Sequence, residues 1–182
     1  MKRHSRHDLD QSGVWKTRIP GEGGVGLALA LGLALGLSIA WTTTLAPPVR
    51  AQNWLAQHMV SLRQTRDRWI EINVSTQRLI AWEGNTPVYA VIVSTGVESH
   101  PTLIGSFKIQ SKHRTARMRG EDYDVPDVPF VMYYDGNYGI HGAYWHHSFG
   151  TPVSHGCVNV AVDHAEWLFN WAAIGTPVVV HY

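Results

Sequence analysis

From Arg68 onward the apolar residues recur with a period of two. That period limits the chain more than any other feature, because a sequence patterned for strands cannot bury its apolar face as a helix. Trp69-Ile70-Glu71-Ile72-Asn73-Val74 places Ile70, Ile72 and Val74 on one face of a strand. Ser75-Thr76-Gln77 reads as a turn, and Arg78 to Trp82 returns as a second strand. Glu83-Gly84-Asn85-Thr86 turns again into Val88-Tyr89-Ala90-Val91-Ile92-Val93. Ser106-Phe107-Lys108-Ile109 and Pro129 to Tyr134 read as further strands, and Asp135-Gly136-Asn137 is a tight-turn signal delivering the next strand to His141. A single late helix follows. Asp163 is its expected cap, with Glu166 three residues on, Trp167, Leu168, Trp171 and Ala172 as its apolar stripe, and Gly175 as its stop. Thr176 to Tyr182 closes as a strand. Short strands, frequent turns and one late helix predict a mostly β sandwich or barrel, which periodicity alone does not separate.

The first 51 residues read differently. Val25 to Ala40 is an apolar run of Leu, Ala and Gly behind a long basic stretch, and Pro47-Pro48-Val49-Arg50-Ala51 follows it. The run suits a long signal-peptide core and falls short of the roughly 20 residues of a spanning helix. A cleaved signal ending at Ala51 is the first expectation. A retained anchor, with Gly32 and Gly36 as packing positions, is the second. Both place the remainder outside the cytoplasmic membrane, and no cysteine stands at a lipid-attachment position. Residues 52–67, polar and helix-compatible, read as a spacer or an initial helix, and residues 68–182 as the functional domain.

Charge narrows the partners. Beyond Ala51 the chain carries nine basic and eleven acidic groups, a formal charge of −2. Nucleic-acid binding wants a strong basic surplus, so it is not expected here. Lys108, Lys112, Arg114, Arg117 and Arg119 cluster, and Glu121, Asp122, Asp124 and Asp127 follow at once; a solvated loop of mixed charge is expected there.

Cys157 is the chain's single cysteine, in Ser154-His155-Gly156-Cys157-Val158-Asn159, with His141-Gly142 upstream. One cysteine builds no disulfide framework, and outside the membrane a spare thiol is a liability unless it is buried or reactive. Histidines nearby supply bases, or cations that lower a thiol pKa. These residues make a nucleophile-and-base arrangement.

Tyr138-Gly139-Ile140-His141-Gly142-Ala143, followed after a further ten residues by Ser154-His155-Gly156-Cys157-Val158-Asn159, resembles the signature of the L,D-transpeptidase catalytic domain family. Ile70 to Asn73 with Gln77 to Trp82 resembles that domain's opening hairpin, and Val93-Ser94-Thr95-Gly96 with Pro101 to Phe107 its next segment, where Leu103 and Ile104 stand in place of a second proline. The resemblance covers about Arg68 to Tyr182. It implies a β-sandwich with the cysteine on a loop at the mouth of a cleft, Cys157 as nucleophile, His141 as general base and acid, and the Gly142 carbonyl orienting His141. It implies peptidoglycan stem peptides as partners and an exported, bacterial, wall-side location, with the inner membrane as a second partner through the N-terminal segment. No metal or organic cofactor is implied.

Backbone N–H groups of Gly156 and Cys157 are the expected oxyanion donors. His155 is expected to touch substrate, tune Cys157 or brace the loop; Ser154 to bond the local backbone; Asn159 to orient substrate. Tyr144 and Trp145 are expected to wall the cleft or pack on the sheet. Two rivals stand beside this reading. One is a zinc-type set from His141, His146, His155 and Cys157, against which the His-x-Cys spacing is uncommon and no Cys-x-x-Cys is present. The other is a non-catalytic wall-binding module.

Overall fold

The computed structural model describes residues 47–182. The apolar run at Val25 to Ala40 and the rest of the expected signal or anchor before residue 47 lie outside the described residues. Two sheets face each other. The first has five strands in the order β3-β2-β1-β9-β4: β1 Arg68–Asn73, β2 Arg78–Glu83, β3 Thr86–Ile92, β4 Gly105–Lys108 and β9 Pro177–His181. The second has four in the order β5-β6-β7-β8: β5 Ser111–Arg119, β6 Asp124–Asp135, β7 Tyr138–Gly142 and β8 Val158–Val160. Neighbours are antiparallel except β1 with β9 and β7 with β8. The fold is the β-sandwich the sequence predicts, with helices α1 (Pro47–Arg63) and α2 (Val162–Trp171) added.

Alternation puts Ile70, Ile72, Leu79 and Ala81 of the first sheet against Met132, Tyr134, Ile140, Val158 and Val160 of the second, with Leu168 of α2 joining the same core. Val178, Val179 and Val180 are all fully buried, as are the adjacent Trp69 and Ile70. Strands covered on both faces lose their alternation. Here the second cover is α1: its Leu55 and Leu62 pack with Trp69 and Val179 in a separate core cluster. The helix begins before position 51 and runs through it.

Two turns are as tight as their residues suggest. Glu83 pairs with Thr86 around Gly84-Asn85, and Asp135 pairs with Tyr138 around Gly136-Asn137. Three expectations change. The mixed-charge segment is the β5–β6 hairpin and not a loop; in its outer half half-buried Ala116, Met118 and Val125 alternate with exposed, mostly charged residues. Arg117 donates to both oxygens of Asp124, and Arg119 lies 3.4 Å from the same carboxylate. Asp163 is not the cap of α2, because Ala161 holds that position without a side-chain bond; Asp163 lies in the first turn, where a negative charge suits the helix dipole. Gly175 does not end α2, which stops at Trp171 with Ala172 extended. Its last carbonyls are taken by cations instead: Lys112 Nζ donates to Phe169 O (2.6 Å) and Ala172 O, and Arg68 donates to Trp171 O (2.8 Å).

The packing of α1 yields a paired expectation. Leu62 is 8% exposed and Val60, two residues before it, is 52% exposed. Leu62→Ala should cost about 2–5 kcal/mol by opening a cavity over Trp69. Val60→Ala should stay within about 0.5 kcal/mol. Urea midpoints of the two variants against the parent test this, and equal midpoints would mean that α1 contributes nothing to the core.

Candidate active site

Cys157 lies immediately before β8, on a loop whose shape is set by backbone and small side chains. Ser154 Oγ donates to the Cys157 carbonyl and accepts the Gly156 N–H (3.1 Å). Gly156 has φ +112°, and a Cβ there would stand 2.6 Å from the Tyr138 ring, so only glycine fits. A second segment, Ser94 to Val97, is laced to this loop. Ser94 and Asn159 exchange N–H···O bonds of 2.9 and 2.8 Å, Ser154 N–H donates to Thr95 O, and Val97 N–H donates to Ser154 O. Two buried side chains tie these pieces together. Thr102 Oγ1 accepts the Gly96 N–H (2.8 Å) and donates to the Gly156 carbonyl (2.9 Å). Gln77 accepts the Thr95 N–H (2.9 Å) and donates to Thr95 Oγ1 (2.6 Å).

His141, on β7, is paired in register with Asn159 of β8, two residues beyond Cys157. It is 2% exposed. Its Nδ1 lies 3.1 Å from the Gly142 carbonyl oxygen, which can only accept, so Nδ1 carries the proton and Nε2 is left as a free base. Burial holds its pKa down at about 4, against the opposing bond to Gly142. Burial pushes the Cys157 thiol above its ordinary range, although the Gly139 backbone N–H facing the sulfur opposes that shift. The half-buried thiol donates to the Asn137 carbonyl at 3.5 Å. At neutral pH the pair therefore rests as thiol and neutral imidazole, not as an ion pair.

Two clefts meet at the sulfur. One, of about 570 Å³, is lined by polar groups including Arg119, Asp122, Asn137 and Tyr138. The other, of about 260 Å³, is lined by His141, Trp145, Met118, Val125 and Val153. Ser154, His155 and Asn159 share the second cleft with His141 and Cys157. Trp145 walls it, its ring 5.8 Å from that of His141. Tyr144 lines neither cleft; its hydroxyl donates to Pro126 O (2.8 Å), tying the loop after β7 to β6. The side-chain amide of Asn159 meets His146 Nε2 at 2.9 Å, while Ser148 N–H donates to His146 Nδ1. Asn159 thus contacts His146 while lining the second cleft. Gly156 is likewise engaged, its N–H held by Ser154. Among the described residues no three His, Cys, Asp or Glu side chains converge as a metal-binding group, so the geometry gives the zinc-type set no support.

Sequence reasoning missed Asn137, Gly139, Thr102 and Gln77. The first two act through the main chain, which leaves no side-chain signature. The last two are single polar residues whose burial becomes visible only once the strands are placed.

The family whose model matches residues 67–180 is described as the L,D-transpeptidase catalytic domain. The chain is 35% identical over 100 residues to L,D-transpeptidase 1 of Mycobacterium tuberculosis, a match covering 48% of this chain and 39% of that protein. The chain thus spans about two fifths of the length of that curated relative. Among solved structures, the catalytic domain of an Enterococcus faecium L,D-transpeptidase superposes with TM-score 0.58 at 27% identity, over 64% of this chain and 98% of that one. An L,D-transpeptidase in complex with imipenem superposes with TM-score 0.59 at 28% identity, over 62% and 58%.

Two expectations follow from the site. Between pH 6.5 and about 4 the unfolded chain binds a proton on His141 that the folded protein excludes, so stability falls as pH drops through that window. The stability difference between parent and His141→Gln should move in the variant's favour by on the order of 3 kcal/mol from pH 7 to pH 4. A difference that stays flat would show that burial does not hold His141 neutral. Thr102→Val, which leaves the Gly96 N–H and the Gly156 carbonyl without their partner, should cost about 1–3 kcal/mol. It should also speed amide exchange at Gly96, and Thr102→Ser should restore both.

Proposed function

The chain belongs to the L,D-transpeptidase catalytic domain family, and on that premise we propose that it is a cysteine-dependent acyltransferase acting on peptidoglycan stem peptides. The observation that supports this most is the meeting of one thiol, one tautomer-fixed neutral imidazole and two clefts. A reaction joining two peptides needs two approaches to one nucleophile.

In this reading Cys157 attacks the carbonyl between the diamino acid's L-centre and the terminal D-Ala of a tetrapeptide stem. His141 Nε2 takes the thiol proton during attack and delivers it to the departing amine, so D-Ala leaves and a thioester remains. An amine of a second stem then attacks the thioester. His141 removes the amine proton and returns it to sulfur as the C–S bond breaks, which gives a 3→3 cross-link. Backbone N–H groups at Cys157 and Gly139 are the donors for the tetrahedral oxyanion. The raised thiol pKa and depressed imidazole pKa make proton transfer part of the attack rather than a prior step. Water as acceptor would make the same site an L,D-carboxypeptidase, and a protein lysine would tether that protein to the wall. The chemistry uses thiol and imidazole alone, without metal or cofactor. We place the protein outside the cytoplasmic membrane, exported through residues 1–51 as signal or anchor. Among the described residues no helix is long and apolar enough to cross a membrane.

The test is intact-mass analysis with a disaccharide-tetrapeptide. Free D-Ala and a cross-linked dimer are expected, both absent with Cys157→Ala, and turnover should drop about 10²–10⁴-fold with His141→Gln. Tripeptide without dimer would assign hydrolysis. A folded protein that forms neither adduct nor product would end the acyltransferase reading.

A further inference from the structure

The two clefts at Cys157 are divided by side chains rather than by a wall of backbone. Tyr123, His155 and Cys157 line both. Tyr123 and Asp122 stand at the tip of the β5–β6 hairpin, whereas His155 stands on the nucleophile loop two residues before the sulfur. The two meet across the cleft. His155 Nε2 lies 3.1 Å from Asp122 Oδ2, and since a carboxylate only accepts, that nitrogen is the donor. The His155 ring is flanked by Tyr123, with centroids 4.8 Å apart, and by His100 at 4.9 Å. Arg117 and Arg119 pair with Asp124 inside the hairpin, so the Asp122–His155 hydrogen bond is the polar side-chain contact that joins hairpin tip to the loop before Cys157 among the described residues. Both partners are exposed, which makes the contact weak enough to open and re-form.

We propose that Asp122 is a positioning residue: by holding His155 it keeps the hairpin tip as a bridge over Cys157 and biases the acyl group toward an amine and away from water. This rests on the acyl-enzyme reading above. Two nucleophiles compete for one thioester. With an amine, the C–S bond breaks, a C–N bond forms and the amine proton ends on sulfur. With water, a C–O bond forms instead, giving a carboxylic acid and the same thiol. A stem amine is delivered by a peptide lying in one of the two openings, but water arrives by diffusion through any gap above the sulfur. A bridge that covers the sulfur and leaves both openings free acts against the second nucleophile more than the first.

The ratio of hydrolysed to cross-linked product formed from a disaccharide-tetrapeptide reads this directly, because it does not depend on how fast the thioester forms. Asp122→Ala should raise that ratio about two- to five-fold, the range an exposed polar contact supplies. Asp122→Asn, whose side-chain oxygen still accepts from His155, should keep it near the parent's. A second measurement needs no substrate: the plateau rate of Cys157 alkylation by iodoacetamide at high pH should rise by a similar factor in Asp122→Ala and not in Asp122→Asn. A parent that turns over the stem while both readouts stay unchanged in Asp122→Ala overturns the bridge. A parent that forms no thioester, with alkylation still accelerated in Asp122→Ala, removes the acyltransferase reading and leaves the bridge as a cover over the thiol.

Discussion

The backbone lacing between Ser94–Val97 and Ser154–Asn159 is the constraint on which the site depends. The loop before β8 has a glycine with φ +112° near its centre, packed against the Tyr138 ring. Left alone, such a loop would sample many conformations. Here each end is bonded to the Ser94–Val97 segment, which is held in turn by Gln77 and Thr102, both nearly fully buried. Gln77 lies in the turn between β1 and β2 with φ +52°, an uncommon conformation for a non-glycine residue. The first sheet therefore reaches the sulfur through two polar side chains, and a change in that hairpin can be felt at the active site without touching it.

The electrostatics of the pair follow from the same burial. A catalytic cysteine is often activated by a neighbouring cation or a helix N-terminus. In this protein the histidine beside it is buried on the cleft face of β7 and keeps no charge at neutral pH, so it stabilises no thiolate at rest. What the fold supplies instead is orientation. The Gly142 carbonyl fixes one ring nitrogen as donor and leaves the other as base, and the Gly139 N–H faces the sulfur. A neutral, oriented pair is also less exposed to oxidation than a standing thiolate.

Much of the fold was legible because its strands are amphipathic. Ile70, Ile72 and the turns at Gly84 and Gly136 follow from alternation and from φ > 0 alone. The outer half of the β5–β6 hairpin was not legible, because its run of charged residues reads as a solvated loop and Arg117–Asp124 pairing shows only once the strands are placed. The site divided in the same manner. Cys157 and His141 stood out by residue type as candidate groups, whereas the contact between Asn159 and His146 became visible only in the structure. Residue type identifies groups that react, but geometry decides which polar groups are already engaged.

Two histidines give the domain opposite pH dependences, and their placement explains why both persist. His181 of β9 donates to Glu71 of β1 at 3.0 Å, and Arg63 of α1 approaches the same carboxylate at 3.6 Å, over the rings of Trp69 and Trp82. The bond to Glu71 raises the His181 pKa above 6.5, so its stabilisation is complete below 6.5 and is lost as pH rises through the folded value. Burial alone would raise Glu71, but His181, Arg63 and the Trp82 N–H carry it below 4.5, so its share is present above 4.5 and is lost as pH falls. The clasp that docks α1 is thus fully formed between those two values. That window contains most of the range in which His141 begins to weaken the fold. His141 is the group whose burial penalises mild acid, and the clasp on the opposite sheet retains its full contribution through the same interval.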